Sequence, residues 1–198
     1  MNLLLLIALA AGCAILFVLE RLGVPTTLDL QFKGDIKRES RWLAQYGQSV
    51  CTPVAALLVW QLDAGHGWQR PVVIVAAVLA TSIMCAILKR LLGRVRPGRE
   101  QAGKFLGPSF EHANYRESFP SSHSACAVAL TTALVYYYPQ AAATLWALAI
   151  ICALLRYILD AHWPSDVLGG CALGYAIAHL VVVKLPGVLA IYAGSRVR

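Results

Sequence analysis

Six apolar runs dominate the 198-residue chain, most of them about 17 to 22 residues long, the length an α-helix needs to cross the hydrocarbon core of a bilayer. They are Leu3–Leu19, a weaker run Tyr46–Trp60 that carries Pro53, Pro71–Leu92, Ser122–Tyr138, Ala141–Leu159 and Ser165–Leu185, where Lys184 and Pro186 are expected to end the last helix. Hydrophobic residues make up 59% of the chain, charged residues 14%, and the mean hydropathy is +0.63. A soluble domain of this size has too little interior to bury that much apolar surface, and a disordered chain lacks such hydrophobicity altogether. The expected architecture is therefore all-α, an integral membrane bundle of about six transmembrane helices. It forms one membrane-embedded domain over residues 1–198, with no internal repeat and no appended soluble domain. An even number of spans places both termini on one side. The first run has no basic segment before it and no small-residue cleavage site after it, so it reads as a retained span.

The charge balance, 17 Lys and Arg against 10 Asp and Glu, gives a net +7. The basic residues lie almost entirely between apolar runs, which points to anionic headgroups or a phosphate-bearing substrate rather than nucleic acid. The segment 23–41, with Lys33, Asp35, Lys37, Arg38, Glu39 and Arg41, is expected to lie along the membrane surface. All six cysteines (Cys13, Cys51, Cys85, Cys126, Cys152 and Cys171) fall inside apolar runs with no CxxC spacing, and read as small helix-packing residues.

Ionisable residues at a bilayer edge are costly and mark function. Three clusters stand out. The first, residues 89–97, places Lys89 near the end of the third run and Arg96 just beyond it. In the second, residues 119–124, Pro120 and Ser121 make a good helix start, Ser122 and His123 occupy the first turn, and its free N–H groups offer an anion site. The third, residues 156–166, holds Arg156, His162 and Asp166, the carboxylate four residues after the histidine and able to reach back towards it. Taken singly, each has a plainer reading. Lys89, Arg90 and Arg94 at a helix end read as snorkelling anchors, and His66, His112 and His179 as solvated or core histidines. Trp163 and Tyr136–Tyr138 read as interfacial aromatics, and Asp160 as a salt-bridge partner of Arg156. Together the clusters say more. If the connections after the third and fifth runs share a face, three cations, two histidines and a carboxylate meet there. Three cations suit a phosphate dianion and its transition state, a histidine oriented by a carboxylate is an activated nucleophile, and a second histidine can protonate a leaving alkoxide. No divalent-metal cage is evident, and no cofactor or metal is expected.

In order and spacing these residues resemble the motifs of type 2 phosphatidic acid phosphatases, integral-membrane lipid phosphatases related to soluble vanadium haloperoxidases. Lys89 with Arg96 and Pro97 matches the first motif, Pro120, Ser121, Ser122 and His123 the second, and Arg156, His162 and Asp166 the third. Two positions depart from the pattern: Ser122 stands where the family has Gly, and Leu155 where it has Ser before the Arg. The resemblance implies a metal-independent lipid phosphate phosphatase in which His162 attacks phosphorus and becomes a phosphohistidine. Asp166 would hold its ring, His123 would protonate the leaving group, and Lys89, Arg96, Arg156, the Ser121 hydroxyl and the Ser122 N–H would cradle the phosphoryl oxygens. The implied substrates are phosphatidic acid, phosphatidylglycerophosphate, undecaprenyl pyrophosphate or a lipid A phosphate. The implied location is a bacterial inner membrane with the site on the periplasmic or outer face. The positive-inside tendency runs the other way, because that orientation turns the two most basic connections outward. The alternatives are lipid-to-lipid phosphotransfer and a non-catalytic lipid- or anion-binding membrane protein; a haloperoxidase-like oxidant fits this hydropathy least.

Overall fold

The computed structural model describes residues 1–28, 34–48, 50–63, 67–111, 113–159 and 162–195. Lys33, His66, His112, Asp160, Arg196 and Arg198, and the side chain of Lys37, lie outside the described residues. The described chain is helical: α1 (Leu3–Arg21), α2 (Gly34–Leu43), α3 (Cys51–Leu62), α4 (Gln69–Leu92), α5 (Ser122–Tyr137), α6 (Ala142–Ile158) and α7 (Pro164–Ser195). Four stretches are long and apolar enough to cross a membrane: Leu3–Arg21, Gln69–Leu92, Pro139–Ile158 and Pro164–Ala190. The protein is thus an integral membrane helical bundle.

Two of the expected spans differ from their apolar runs, one shorter and one longer. The helix α3 begins at Cys51, not near Tyr46, and has 12 residues, about 18 Å at 1.5 Å per residue and well under the ~30 Å core. The chain turns at Gly47, whose φ of 82° belongs to the left-handed region. Pro53 then falls in the first helical turn, where its missing N–H costs no bond. The sixth run extends beyond its expected end. Pro186 lies inside α7, which continues to Ser195; a proline removes one helical bond, and in a membrane helix neighbouring groups compensate.

At the centre lies α5, whose residues Ser124–Leu134 are all buried. It packs against α4, α6 and α7, while α1 lies on α7, α3 on α4 and α2 against α6. One apolar core joins Val59, Ile74, Ala77, Leu130, Ala133 and Val182, and a second joins Val128, Ala149, Cys152, Val167 and Cys171. Cys85, Cys126, Cys152 and Cys171 are buried and all six cysteines are free, as small packing residues should be. Apolar side chains such as Leu4, Ile15, Leu79, Ile83 and Leu154 face outward. In water such a surface would be a liability; in lipid it is the required solvent contact.

Close approach of α7 to α5 depends on glycine. A Cβ added to Gly170 would stand 2.5 Å from the carbonyl oxygen of Ser121, whereas one added to Gly187 on the same helix meets nothing within 4 Å. Gly170→Ala is therefore expected to lower stability by about 1–3 kcal/mol through overpacking. Gly187→Ala should be neutral or mildly stabilising, since alanine is the better helix former. Thermal unfolding of the two variants in one detergent checks this; equal melting temperatures would refute the packing account.

The end of the bundle formed by the start of α4 and the end of α5 is tied by a polar pin. Arg70 and the Tyr138 hydroxyl both donate to Asp63 Oδ2 at 2.5 Å, and Arg70 lies 5.2 Å from the Tyr137 ring centroid. Tyr138, read from sequence as an interfacial aromatic, is a hydrogen-bonding partner here. The three motif clusters lie at the other end, where α1, α4 and α6 finish and α5 and α7 begin.

Candidate active site

Lys89 stands one turn before the end of α4, which Gly93 closes in the left-handed conformation with its N–H bonded to the Lys89 carbonyl at 2.9 Å. The chain then doubles back. Val95 N–H donates to Lys104 O at 2.9 Å, Leu106 N–H to Gly93 O at 3.1 Å, and Arg96 N–H to Tyr115 O at 2.9 Å. This fold-back carries Arg96 to Lys89: Lys89 Nζ donates to the Glu117 carbonyl at 3.0 Å and an Arg96 terminal N–H reaches the same carbonyl at 3.4 Å. Arg96 Nε is held by Asn114 O at 2.8 Å.

The first turns of α5 and α7 are bonded to each other, Ser121 N–H donating to the Asp166 carbonyl at 3.0 Å. Ser121 sits at the N-cap of α5 with φ −70° and ψ 106°, its hydroxyl 3.0 Å from that of Ser124. Ser122, in place of the family's glycine, begins the helix proper. Among the described non-glycine residues only Gln101 has a positive φ, so Ser122 offers its N–H without backbone strain. His123 follows in the same turn and lies in the electrostatic field of Arg156, His162, Lys89 and Arg96. From α6, Arg156 brings a buried guanidinium whose Nε has no hydrogen-bond partner among the described residues.

His162 lies between α6 and α7 with 1% of its side chain exposed. Its Nδ1 is 2.8 Å from the Ser118 carbonyl oxygen, which can only accept, so Nδ1 carries the proton and Nε2 keeps the lone pair. Asp166 Oδ2 is 3.7 Å from Nδ1, too far for a direct bond. The ring is thus held by Ser118, and the carboxylate holds Ser118. Asp166 Oδ2 accepts from the Ser118 hydroxyl at 2.5 Å and from Trp163 N–H at 3.0 Å. The second of these is the N3-to-N-cap half of a capping box, placed there by Pro164 at the first helical position. Burial, opposed by Asp166, pushes the His162 imidazole down to about 4.

The structure thus gathers Lys89, Arg96, Ser121, Ser122, His123, Arg156, His162 and Asp166 at one end of the bundle. It also adds residues that the sequence reading missed. Arg94, expected to snorkel, is 2% exposed and bonds Asp166 Oδ1 at 2.5 Å and Glu20 Oε2 at 2.6 Å. Trp163, expected at the membrane interface, donates from Nε1 to Val95 O at 3.1 Å and stacks on Arg94. Glu20 had a legible signal: a carboxylate in the last turn of α1 opposes the helix dipole, and so needs a cation.

Residues 70–188, which contain all three clusters, match the PAP2 superfamily. A lipid A 1-phosphatase of Rhizobium johnstonii is 35% identical over 98 residues, 49% of this chain and 40% of that protein. A lipid A 1-phosphatase of Rhizobium etli is 36% identical over 99 residues, 49% of this chain and 42% of that one. The matches thus span less than half the length of these relatives. The crystal structure of a transmembrane PAP2-type phosphatidylglycerolphosphate phosphatase from Bacillus subtilis has the same fold, with a TM-score of 0.55 over 89% of this chain and 93% of that one at 18% identity. With the family match and all three motifs in one constellation, the chain belongs to the PAP2 superfamily.

Proposed function

We propose that the protein is a lipid phosphate phosphatase working through a phosphohistidine. The observation that carries this reading is the tautomer of His162: with Nδ1–H bonded to Ser118 O, its Nε2 lone pair belongs to the same end of the bundle as Lys89, Arg96 and Arg156. Nε2 attacks phosphorus and the P–O bond to the lipid breaks. His123 gives its proton to the leaving oxygen, and the charge that develops on His162 is balanced through Ser118 by Asp166. Water, deprotonated by His123, then attacks phosphorus; the P–N bond breaks, and Nε2 regains its lone pair. Lys89, Arg96, Arg156, the Ser121 hydroxyl and the Ser122 N–H take the equatorial oxygens.

The substrate is a phosphomonoester or pyrophosphate of a membrane lipid. The names of the two rhizobial relatives put lipid A phosphate first, ahead of phosphatidic acid, phosphatidylglycerophosphate and undecaprenyl pyrophosphate. Family likeness supports a site that faces outward from a bacterial inner membrane. The test is phosphate release from these four lipids by detergent-purified protein in EDTA, beside His162→Ala. Release by the wild type that the substitution abolishes supports the reading; release that survives it, or no release from any of the four by a folded protein, overturns it.

The pH dependence follows in sign. Protonation of Nε2 blocks attack, and His162 is held below the ordinary imidazole value, at about 4. The acid limb of kcat/KM should therefore lie well below 6.5, with full nucleophile available at neutral pH. Because the unfolded chain takes up this proton near pH 6.5 and the folded one only near 4, His162 withdraws stability as pH falls through that window. An acid limb at or above 6.5 would contradict this assignment.

A further inference from the structure

The buried guanidinium of Arg94 reads as a central element of the site although it belongs to none of the phosphate-binding positions. One terminal nitrogen donates to Asp166 Oδ1 at 2.5 Å and to Ser165 Oγ at 2.7 Å; the other donates to Glu20 Oε2 at 2.6 Å. Glu20 is itself anchored on α7, its Oε1 accepting Ser165 N–H at 3.0 Å and its Oε2 accepting the Ser165 hydroxyl at 2.5 Å. The guanidinium carbon lies 5.4 Å from the Phe17 centroid, 5.5 Å from that of Phe105 and 5.4 Å from that of Trp163, so three aromatic rings exclude water around it. Side-chain exposure is 2% for Arg94, 3% for Glu20 and 0% for Asp166.

We infer that Arg94 and Glu20 are positioning residues for the nucleophile: Glu20 and Ser165 fix the Arg94 fork, Arg94 fixes the Asp166 carboxylate, and Asp166 holds Ser118 and through it the His162 ring. The inference rests on the phosphohistidine reading of this site. Glu20 belongs to α1, outside the 70–188 segment that matches the family, so the N-terminal helix completes the machinery. The arrangement also sets charge. Two carboxylates and one guanidinium leave a single net negative charge behind His162, which favours the imidazolium that forms as phosphorus is attacked. Arginine suits this place because its planar fork serves two carboxylates at once, which a lysine ammonium cannot do with the same geometry.

Opposite signs distinguish this role from mere support of the fold. Removing the positive charge of Arg94 makes protons bind more tightly to both Asp166 and His162, and removing the negative charge of Glu20 makes them bind less tightly. The direction is the same whichever of the two titrates. The other groups facing this pair are Cys13 from α1, Lys89 from α4, Arg96 from the following loop and His123 from α5, with Arg156 of α6 facing His123; the substitutions leave all of them in place.

The experiment is an NMR titration of histidine-labelled protein in micelles, with His162 assigned through His162→Asn, for wild type, Arg94→Gln, Arg94→Lys and Glu20→Gln, beside kcat and KM on the best lipid of the panel. Expected are an upward His162 shift of about one unit in Arg94→Gln and a downward shift of roughly half a unit in Glu20→Gln. Arg94→Lys should lie nearer the wild type than Arg94→Gln. The kcat of Arg94→Gln should fall on the order of 100-fold with KM within about twofold, since the guanidinium touches no substrate. Shifts of the same sign, or none, overturn the inference, as does a loss confined to KM. If Arg94→Gln does not fold, the Glu20→Gln titration decides: a downward shift supports the relay and its absence sinks it. A wild type that releases no phosphate would refute the phosphatase reading, while the titration would still judge the relay on its own.

Discussion

His162→Asn should lower phosphate release from the preferred lipid by roughly 10⁴-fold or more, the loss typical of removing a covalent nucleophile whose partners act as a unit. Asparagine is the informative replacement, because its amide can still donate to the Ser118 carbonyl that holds Nδ1–H at 2.8 Å. The fold is thereby spared while the nucleophilic nitrogen is lost. Thermal unfolding should stay near that of the wild type. Rapid acid-free quenching with radiolabelled substrate should trap label on the wild type and none on the variant; label on the variant would place the nucleophile elsewhere.

The second large effect is expected at His123. Proton donation to a poor leaving group contributes about 10²–10⁴-fold, so His123→Ala should lose that much against a lipid alkoxide. An aryl phosphate such as p-nitrophenyl phosphate leaves without a proton. With it the variant should show a burst of one equivalent of nitrophenolate followed by slow turnover, because the base that activates water is also gone. A loss equal for both substrates, with no burst, would assign His123 to phosphate binding instead. His123 sits in the first turn of α5, near Arg156, Lys89, Arg96 and His162, among the groups assigned to the phosphate.

Much of this was legible before any fold was known, for identifiable reasons. A bilayer demands long apolar helices, so the runs at 3–19, 71–92, 141–159 and 165–185 declare themselves by length alone. Helix punctuation is equally local: Pro164 starts α7 and thereby puts Asp166 at the position that reaches back to Trp163 N–H. Where the reading erred, the deciding term was tertiary. The run from Tyr46 yields a 12-residue helix because the chain turns at Gly47 before Pro53. Pro186 does not end α7, since a proline in a packed membrane helix removes only one bond.

The site divides the same way. The spacing of Lys89 and Arg96, of Ser121, Ser122 and His123, and of Arg156, His162 and Asp166 is a property of the chain, and it specifies which chemistry the residues can support together. Which atom holds which is a property of the packing. Asp166 is 3.7 Å from His162 and bonded instead to Ser118, Trp163 and Arg94. Arg94 and Glu20 meet only because α1 lies on α7, 74 residues separating them in the chain. Periodicity and motif spacing report neighbours within a helix; a buried charge network joins helices distant in sequence, and nothing local encodes which cation a buried carboxylate will find.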